Sequence, residues 1–405
     1  MKKGFLSNYF TGIAAKYLSA VEACPERSNQ HEFNGISSLK ILLGEVRRVF
    51  PAKLYYFGSD DTDTISSEIS LTWYDARENH ISRSEYRLYF QANPILEQAD
   101  AGDLLVIGLT CDNNLYVIAA KANTTIESQL LWLFGLEKAI EDKFEVKKIE
   151  DESDQDLNFA SRYILEELGI EIKEIAVDFL DKLVNTFKNS FPSTRIFSKF
   201  ARDTFFLEVD ALINPDKMLV DLINHEETLF RTFEKYIVAE RLRSGFGEDV
   251  DEFLRFSLSV QNRRKSRAGY ALENHLEFIF QSLNIQYSRN GITENKVKPD
   301  FIFPNISHYH DPGFSESNLT MLGVKSTCKE RWRQVLSEAT RINKKHLFTL
   351  EPSISKNQTD EMKFNELQLV IPQSIHETYL KEQQEWLINL ADFIDILKRK
   401  QNSIF

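Results

Sequence analysis

KPDFIFP (298–304) and TMLGVKST (320–327) are two short apolar runs, each ending in a charged or turn-forming residue. Continuous apolar runs of this length read as strands buried on both faces. HLFTL (346–350) and LQLVIP (367–372) repeat the pattern. Between them KERWRQVLSEATRINKK (329–345) places Trp332, Val335, Leu336, Ala339 and Ile342 on one helical face. Leu272, Leu276, Ile279 and Leu283 mark a helix before these strands, and another over 375–400 closes the chain. Strands alternating with helices predict an α/β domain with a central mixed sheet flanked by helices.

The same runs carry charge where a buried strand should not. Asp300 opens the first and Lys325 ends the second. Brought together at one sheet edge, the carboxylate could hold Mg²⁺, a hard cation that takes one or two protein oxygens plus water and phosphate. The lysine could orient a nucleophile or neutralise developing charge. The bland alternative is a strand-start aspartate after Pro299 and a lysine that snorkels to solvent. Such a site needs a second acid, and Gly323, two residues before Lys325, cannot supply it. Glu338 borders the apolar face of the 329–345 helix and is the substitute, unless it simply pairs with Arg341 at i+3. Glu273 borders the Leu272/Leu276 stripe in the same way. Lys329, Glu330 and Arg331 suit base-edge readout, because Arg or Lys bonds guanine and Glu accepts from cytosine. Arg263, Arg264, Lys265 and Arg267, a cationic run before the Glu273 helix, suit the phosphate backbone, as does Arg333. The alternative for that run is a solvated loop. Trp332 is expected in the core.

Upstream, residues 157–260 read as helical. Phe179, Leu180, Leu183 and Phe187 form one stripe, and Met218, Leu219, Leu222 and Ile223 another. SGFGED (244–249) is a turn rather than a nucleotide loop, since its GxG lacks a third glycine and a preceding strand. The first 146 residues read mostly as strands: ISSEISLTWY, SEYRLYF, DLLVIGLT and LYVIAAKA, the last two joined by a hairpin turn. A helix follows, with Thr125 as candidate cap, and the N-terminal twenty residues read as an amphipathic helix. The acid-rich run 147–156 is the linker candidate. The expected organisation is a β-rich domain (1–146), that linker, and a second domain (157–405) with a helical lead-in (157–260) and a core at 261–375.

Composition sets the outer limits. The chain has 405 residues, 42% apolar, with 30 Phe and 14 Tyr, which is globular rather than disordered. Three scattered cysteines form no CxxC pair, which fits a reducing cytoplasm and argues against a structural zinc. No apolar run is long enough to span a membrane. Net charge is −12, which by itself counts against nucleic acid. Averaging hides the distribution: residues 261–350 hold 14 Lys and Arg against 8 Asp and Glu. The positive segment is the one with the candidate site. GxSxG, HExxH and a Cys/His pair of recognisable spacing are absent, so a metal-independent hydrolase has little support.

NRRKSRAG (262–269), LENHLE, KPDFIFP (298–304), YHD (309–311), KSTCKERWRQ (325–334) and HLFTL (346–350) occur in order and closely resemble EcoRII-type restriction endonucleases. The likeness runs from FPSTR (191–195) through IPQSIHETY (371–379). It implies a PD-(D/E)xK nuclease fold, Mg²⁺ as cofactor, and double-stranded DNA with CC…GG ends (CCWGG or CCNGG) as target. Asp300 and Glu338 are then similar to the metal-binding acids, Glu273 to an additional site acid, Lys325 to the catalytic lysine and Tyr309 to a nearby tyrosine. A glutamate thirteen residues after the lysine is that family's departure from the usual spacing. Lys329, Glu330 and Arg331 resemble its readers of the outer C and G bases. WYDAR (73–77) and SRSEYRLYF (82–90) resemble the DNA-contacting strands of a B3-like pseudobarrel. Arg77, Arg83, Glu85 and Arg87 would then face DNA, the last three alternating on one strand face. A palindromic target suggests a homodimer through the C-terminal domain, with a monomer as the alternative. The rival reading is a catalytically silent DNA-binding protein that keeps the nuclease fold.

Overall fold

Apolar segments that alternate or run unbroken build two sheets, each with its own core. The computed structural model describes residues 6–23, 32–33, 36–59, 65–80, 82–93, 95–136, 143–149, 159–170, 177–205, 213–328 and 331–404. The chain divides into two compact units, Met1–Ile170 with Pro352–Asp360, and Glu171–Glu351 with Glu361–Phe405.

The first unit holds a seven-stranded mixed sheet in the order β4-β3-β2-β6-β5-β1-β7, where β1 is Phe10–Tyr17, β2 Arg48–Phe57, β3 Ile65–Asp75, β4 Tyr86–Tyr89, β5 Leu104–Thr110, β6 Leu115–Ala120 and β7 Glu145–Lys148. Strands β2 and β6 are parallel and the other pairs antiparallel. Leu54, Leu71, Trp73, Leu88, Leu105, Ile107 and Val117 close the core.

Three sequence expectations change here. The N-terminal segment is strand β1 rather than an amphipathic helix, because it lies between β5 and β7 and is buried along nearly its whole length. Helix α1 (Thr125–Leu133) is capped by Thr124, not Thr125. Glu127 therefore does sit three residues after the cap: its N–H meets the Thr124 hydroxyl, and its carboxylate accepts from Asn123 N–H at 2.5 Å. Lys147 and Lys148 belong to β7, while the rest of the expected linker, from residue 150, lies outside the described residues. A second helix, α2 (Phe159–Glu167), also belongs to this unit. So does the late segment 352–360, where Gln129 donates to the Pro352 carbonyl at 3.0 Å.

The second unit begins with a Phe-rich helical bundle of α3 (Val177–Phe187), α4 (Thr194–Thr204), α5 (Pro215–Ser244) and α6 (Val250–Ser282). Leu183, Phe197, Leu229, Phe230 and Phe233 meet in its core. Residues 245–249 do form the turn between the two long helices. Arg263, Arg264, Lys265 and Arg267 fall inside α6, not in a loop before it. The five-stranded sheet follows in the order β12-β11-β10-β9-β8, with β8 Ser288–Arg289, β9 Phe301–Phe303, β10 Thr320–Val324, β11 Lys345–Phe348 and β12 Leu367–Val370. β8, β9 and β10 are antiparallel neighbours, and β10, β11 and β12 are parallel. α7 (Ile306–His310) follows β9, α8 (Trp332–Leu336) follows β10, and α9 (Leu390–Asn402) closes the chain. The expected long helix over 329–345 stops at Leu336, and Ala339 takes a left-handed φ of 46°, so the chain turns back toward β11. Among the described residues no helix is long and apolar enough to cross a membrane.

Candidate active site

Register on the sheet brings Asp300 and Lys325 together. Leu322 pairs with Phe301, so the residues preceding β9 lie beside the end of β10. Asp300 Oδ2 accepts the Val324 N–H at 2.7 Å and lies 3.3 Å from Lys325 Nζ. Both side chains are mostly buried, at 14% and 19% exposure. The Lys325 backbone is fixed in turn by its N–H donating to the Phe348 carbonyl at 3.0 Å.

Glu338 reaches the same edge from the turn after α8. It is 7% exposed, and its Oε2 is buried without a hydrogen-bond partner. Burial pushes its carboxyl up to about 7; Lys325 pulls it down and Asp300 pushes it up. Its i+3 neighbour is not its partner: Arg341 instead donates to the carbonyls of Tyr309, Asp311 and Phe314. Gly323 is a steric necessity beside this turn. A Cβ there would stand 2.9 Å from Val335 Cγ2, inside contact distance. The strand therefore cannot carry an acid at that position while Val335 packs over it.

Glu273, on α6, is 12% exposed and is raised first by burial and then by the Asp300 charge. Its Oε2 accepts from Arg289 Nη2 at 2.7 Å and from Arg289 Nε at 3.2 Å. Tyr309 is buried, and its hydroxyl donates to Glu294 at 2.6 Å and accepts the Arg341 N–H at 3.3 Å. Burial and the Glu294 hydrogen bond push it up to about 12. Its hydroxyl is thus engaged with Glu294 rather than with Asp300 or Lys325.

Two acids, an acid-clamping arginine and a lysine at one sheet edge, with one carboxylate oxygen lacking a donor, suit a hard divalent ion. Asp300 and Glu338 are the residues that could hold it. Among the described residues, no three His, Cys, Asp or Glu side chains are gathered as a ready-made metal cage. Water and phosphate would have to complete the coordination, as is usual for Mg²⁺.

The cations expected on DNA are distributed differently. Lys329 and Glu330 lie outside the described residues, as does the side chain of Lys265. Arg331 is exposed and bonds Thr327 through its guanidinium. Arg333 is exposed and pairs with Glu361 at 2.7 Å. Arg264 pairs with the buried Glu234 at 2.6 Å. Arg267 is 6% exposed, bonds Glu227, and lies 4.0 Å from Glu226. Arg263 lies over the Phe191 ring. Arg264, 46% exposed, and the buried Arg267 are thus ion-paired to acids of α5 rather than free in a solvated loop. In the first unit Arg77 and Arg87 both pair with Glu85, and Arg87 also with Glu32 at 2.5 Å. Arg83 is exposed, but it and Glu85 precede β4, so the expected three-residue alternation along one strand is not formed. The sequence does not single out Arg289 or Glu294; the Asn290-Gly291 turn signal marks Arg289 as a strand end, and nothing local marks Glu294. Arg341 stands there only as an i+3 partner for Glu338, a pairing it does not make.

Residues 230–394 match the family described as EcoRII C terminal. The chain is 39% identical over 227 residues to the type II restriction enzyme EcoRII of Escherichia coli, a match covering 56% of this chain and 55% of that protein. It is 28% identical over 110 residues to the type II restriction enzyme SsoII of Shigella sonnei, covering 25% of this chain and 35% of that one. The chain thus spans about half the length of the first relative and about a third of the second. Among solved structures, metal-depleted Ecl18kI in complex with uncleaved, modified DNA is similar at a TM-score of 0.45 and 18% identity, covering 57% of this chain and 86% of that one. Asp300, Lys325, Glu338 and Tyr309 all lie within the segment that matches the family described as EcoRII C terminal.

Proposed function

We propose that this chain is a type II restriction endonuclease that hydrolyses phosphodiester bonds of double-stranded DNA at a CC…GG target with Mg²⁺, in host defence from the cytoplasm. The observation that carries the reading is the convergence of Asp300, Lys325 and the donor-less Glu338 within the segment that matches EcoRII C terminal. In this reading the second unit is a PD-(D/E)xK domain and the first a B3-like DNA-binding domain. Asp300 and Glu338 hold the metal. The ion, when bound, stabilises charge at phosphorus and acidifies a water. Lys325, fixed by Asp300, presents its ammonium to the scissile phosphate and offsets the charge that develops there. Glu273 and Tyr309 stand behind these groups. Arg331, with Lys329 and Glu330, reads the outer base pairs, and Arg333 and Arg263 approach the backbone. Arg77, Arg83 and Arg87 face DNA in the first unit. A two-fold dimer through the second unit would place one site on each strand.

The test is cleavage of plasmid DNA containing CCWGG and CCNGG sites with Mg²⁺, followed by sequencing of the ends. Cuts beside CC that vanish in Asp300→Ala and Lys325→Ala support the reading. Full activity in either variant removes the site assignment, and tight binding without cleavage turns the chain into a silent DNA-binding protein.

A further inference from the structure

The three acids at the sheet edge are not equivalent. Glu338 Oε2 is buried and lacks a donor. Glu273 already has a cation. Arg289 points its planar fork at one turn of α6: Nη2 and Nε meet Glu273 Oε2 at 2.7 and 3.2 Å, and Nη1 meets Asn274 Oδ1 and Glu277 Oε2, both at 2.9 Å. Arg289 and Glu273 are 15% and 12% exposed, so little water competes for either. The arginine is also held by the sheet. It pairs with Phe301 across β8 and β9, and the next residue, Asn290, donates its N–H to the Asp300 carbonyl at 3.2 Å. Its guanidinium is thus placed by the same strand that places Asp300.

We propose that Arg289 is a positioning residue that acts as a built-in cation at Glu273, keeping that carboxylate off the metal and limiting the site to one divalent ion held by Asp300 and Glu338. The proposal rests on the metal-dependent reading above and departs from it only at Glu273. A guanidinium cannot be deprotonated at working pH and binds carboxylates in a fixed fork, so this cation does not exchange with solvent ions. It leaves a permanent positive charge at Glu273 in the place of a second divalent ion.

The experiment counts Mn²⁺ bound to the full chain by the electron-spin resonance of the ion left free. Wild type binds one ion per chain, and Asp300→Asn loses it. Glu273→Gln keeps one ion and weakens it by less than about tenfold, the lower edge for losing a group that orients a ligand. Arg289→Ala acquires a second ion, which the double variant Arg289→Ala/Glu273→Gln does not. Arg289→Lys retains a single ion. Two ions on wild type, one of them lost in Glu273→Gln, overturn the proposal. So does a single ion on Arg289→Ala, while loss of that ion in Asp300→Asn leaves the metal site standing. No ion on wild type overturns the metal site and this proposal together. Glu273→Gln keeps the question decidable if Arg289→Ala fails to fold.

Discussion

The edge of the five-stranded sheet and the middle of α6 both carry dense charge, and they use it in opposite ways. On α6, Arg264 and Arg267 each meet an acid of α5: Glu234 for the first, Glu226 and Glu227 for the second. At the sheet edge Glu338 has a buried oxygen with no donor, and its carboxyl rises to about 7. Glu234 Oε1 and Glu226 Oε1 also lack a hydrogen-bond donor, but each of those carboxylates has a cation within 4.0 Å, whereas no cation among the described residues lies that close to Glu338. Residue type does not separate these cases. Partner geometry does.

Four measurements test that contrast. The largest effect is expected for Asp300→Ala, which should lower single-turnover cleavage by at least about 10³-fold, the upper range for one electrostatic group at a reacting centre. DNA affinity, read by gel shift, should change far less. Next is Arg267→Ala. It removes one cation from Glu227, which keeps Arg231, and from the buried Glu226, which keeps His275, so the loss should be about 2 kcal/mol in urea unfolding. The salt dependence of DNA binding should stay as it is. A salt slope reduced by about one would instead make Arg267 a phosphate contact.

Third is the pH dependence of Glu338. Its folded value of about 7 lies above the ordinary 4.5, so the folded chain prefers the protonated form. The penalty for ionising it is absent below the ordinary value, grows as pH rises, and is complete above the folded value. With chelator present, Glu338→Gln should match wild type near pH 4.5 and exceed it by about 3 kcal/mol at pH 8. A constant gap between the two would place Glu338 in water rather than in the buried position. The smallest effect is Arg333→Ala. Its exposed pair with Glu361 is worth under about 1 kcal/mol, so the melting temperature should barely move. A salt slope reduced by about one would be the mark of its phosphate contact.

Much of the second sheet was legible from sequence because its strands are short, mostly apolar runs, the first opened by Asp300 and the second ended by Lys325. The same pattern misled at the other end of the chain. Phe10–Tyr17 looks equally apolar as a strand or as one face of a helix, and only its position between β5 and β7 decides the matter. Glu338 was marked as a boundary acid by a helical stripe, yet the helix ends at Leu336 and Ala339 reverses the chain. The residue was found although the element was wrong, since either backbone keeps Val335 and Ile342 inside and places Glu338 between them. The pairing of Arg264 with Glu234 and of Arg267 with Glu227 joins residues 30 and 40 apart, a contact set by how α5 packs on α6. No local period reports that distance.

Val335 over Gly323 has an evolutionary consequence. Returning the acid to position 323 meets the valine methyls at 2.9 Å, and removing the valine alone opens a gap above β10. Each single step is harmful, and only the pair of changes together could restore the shorter spacing. The chain is therefore held in its present arrangement by sign epistasis between two apolar positions. Packing therefore keeps an acid from moving between the turn after α8 and position 323 one residue at a time.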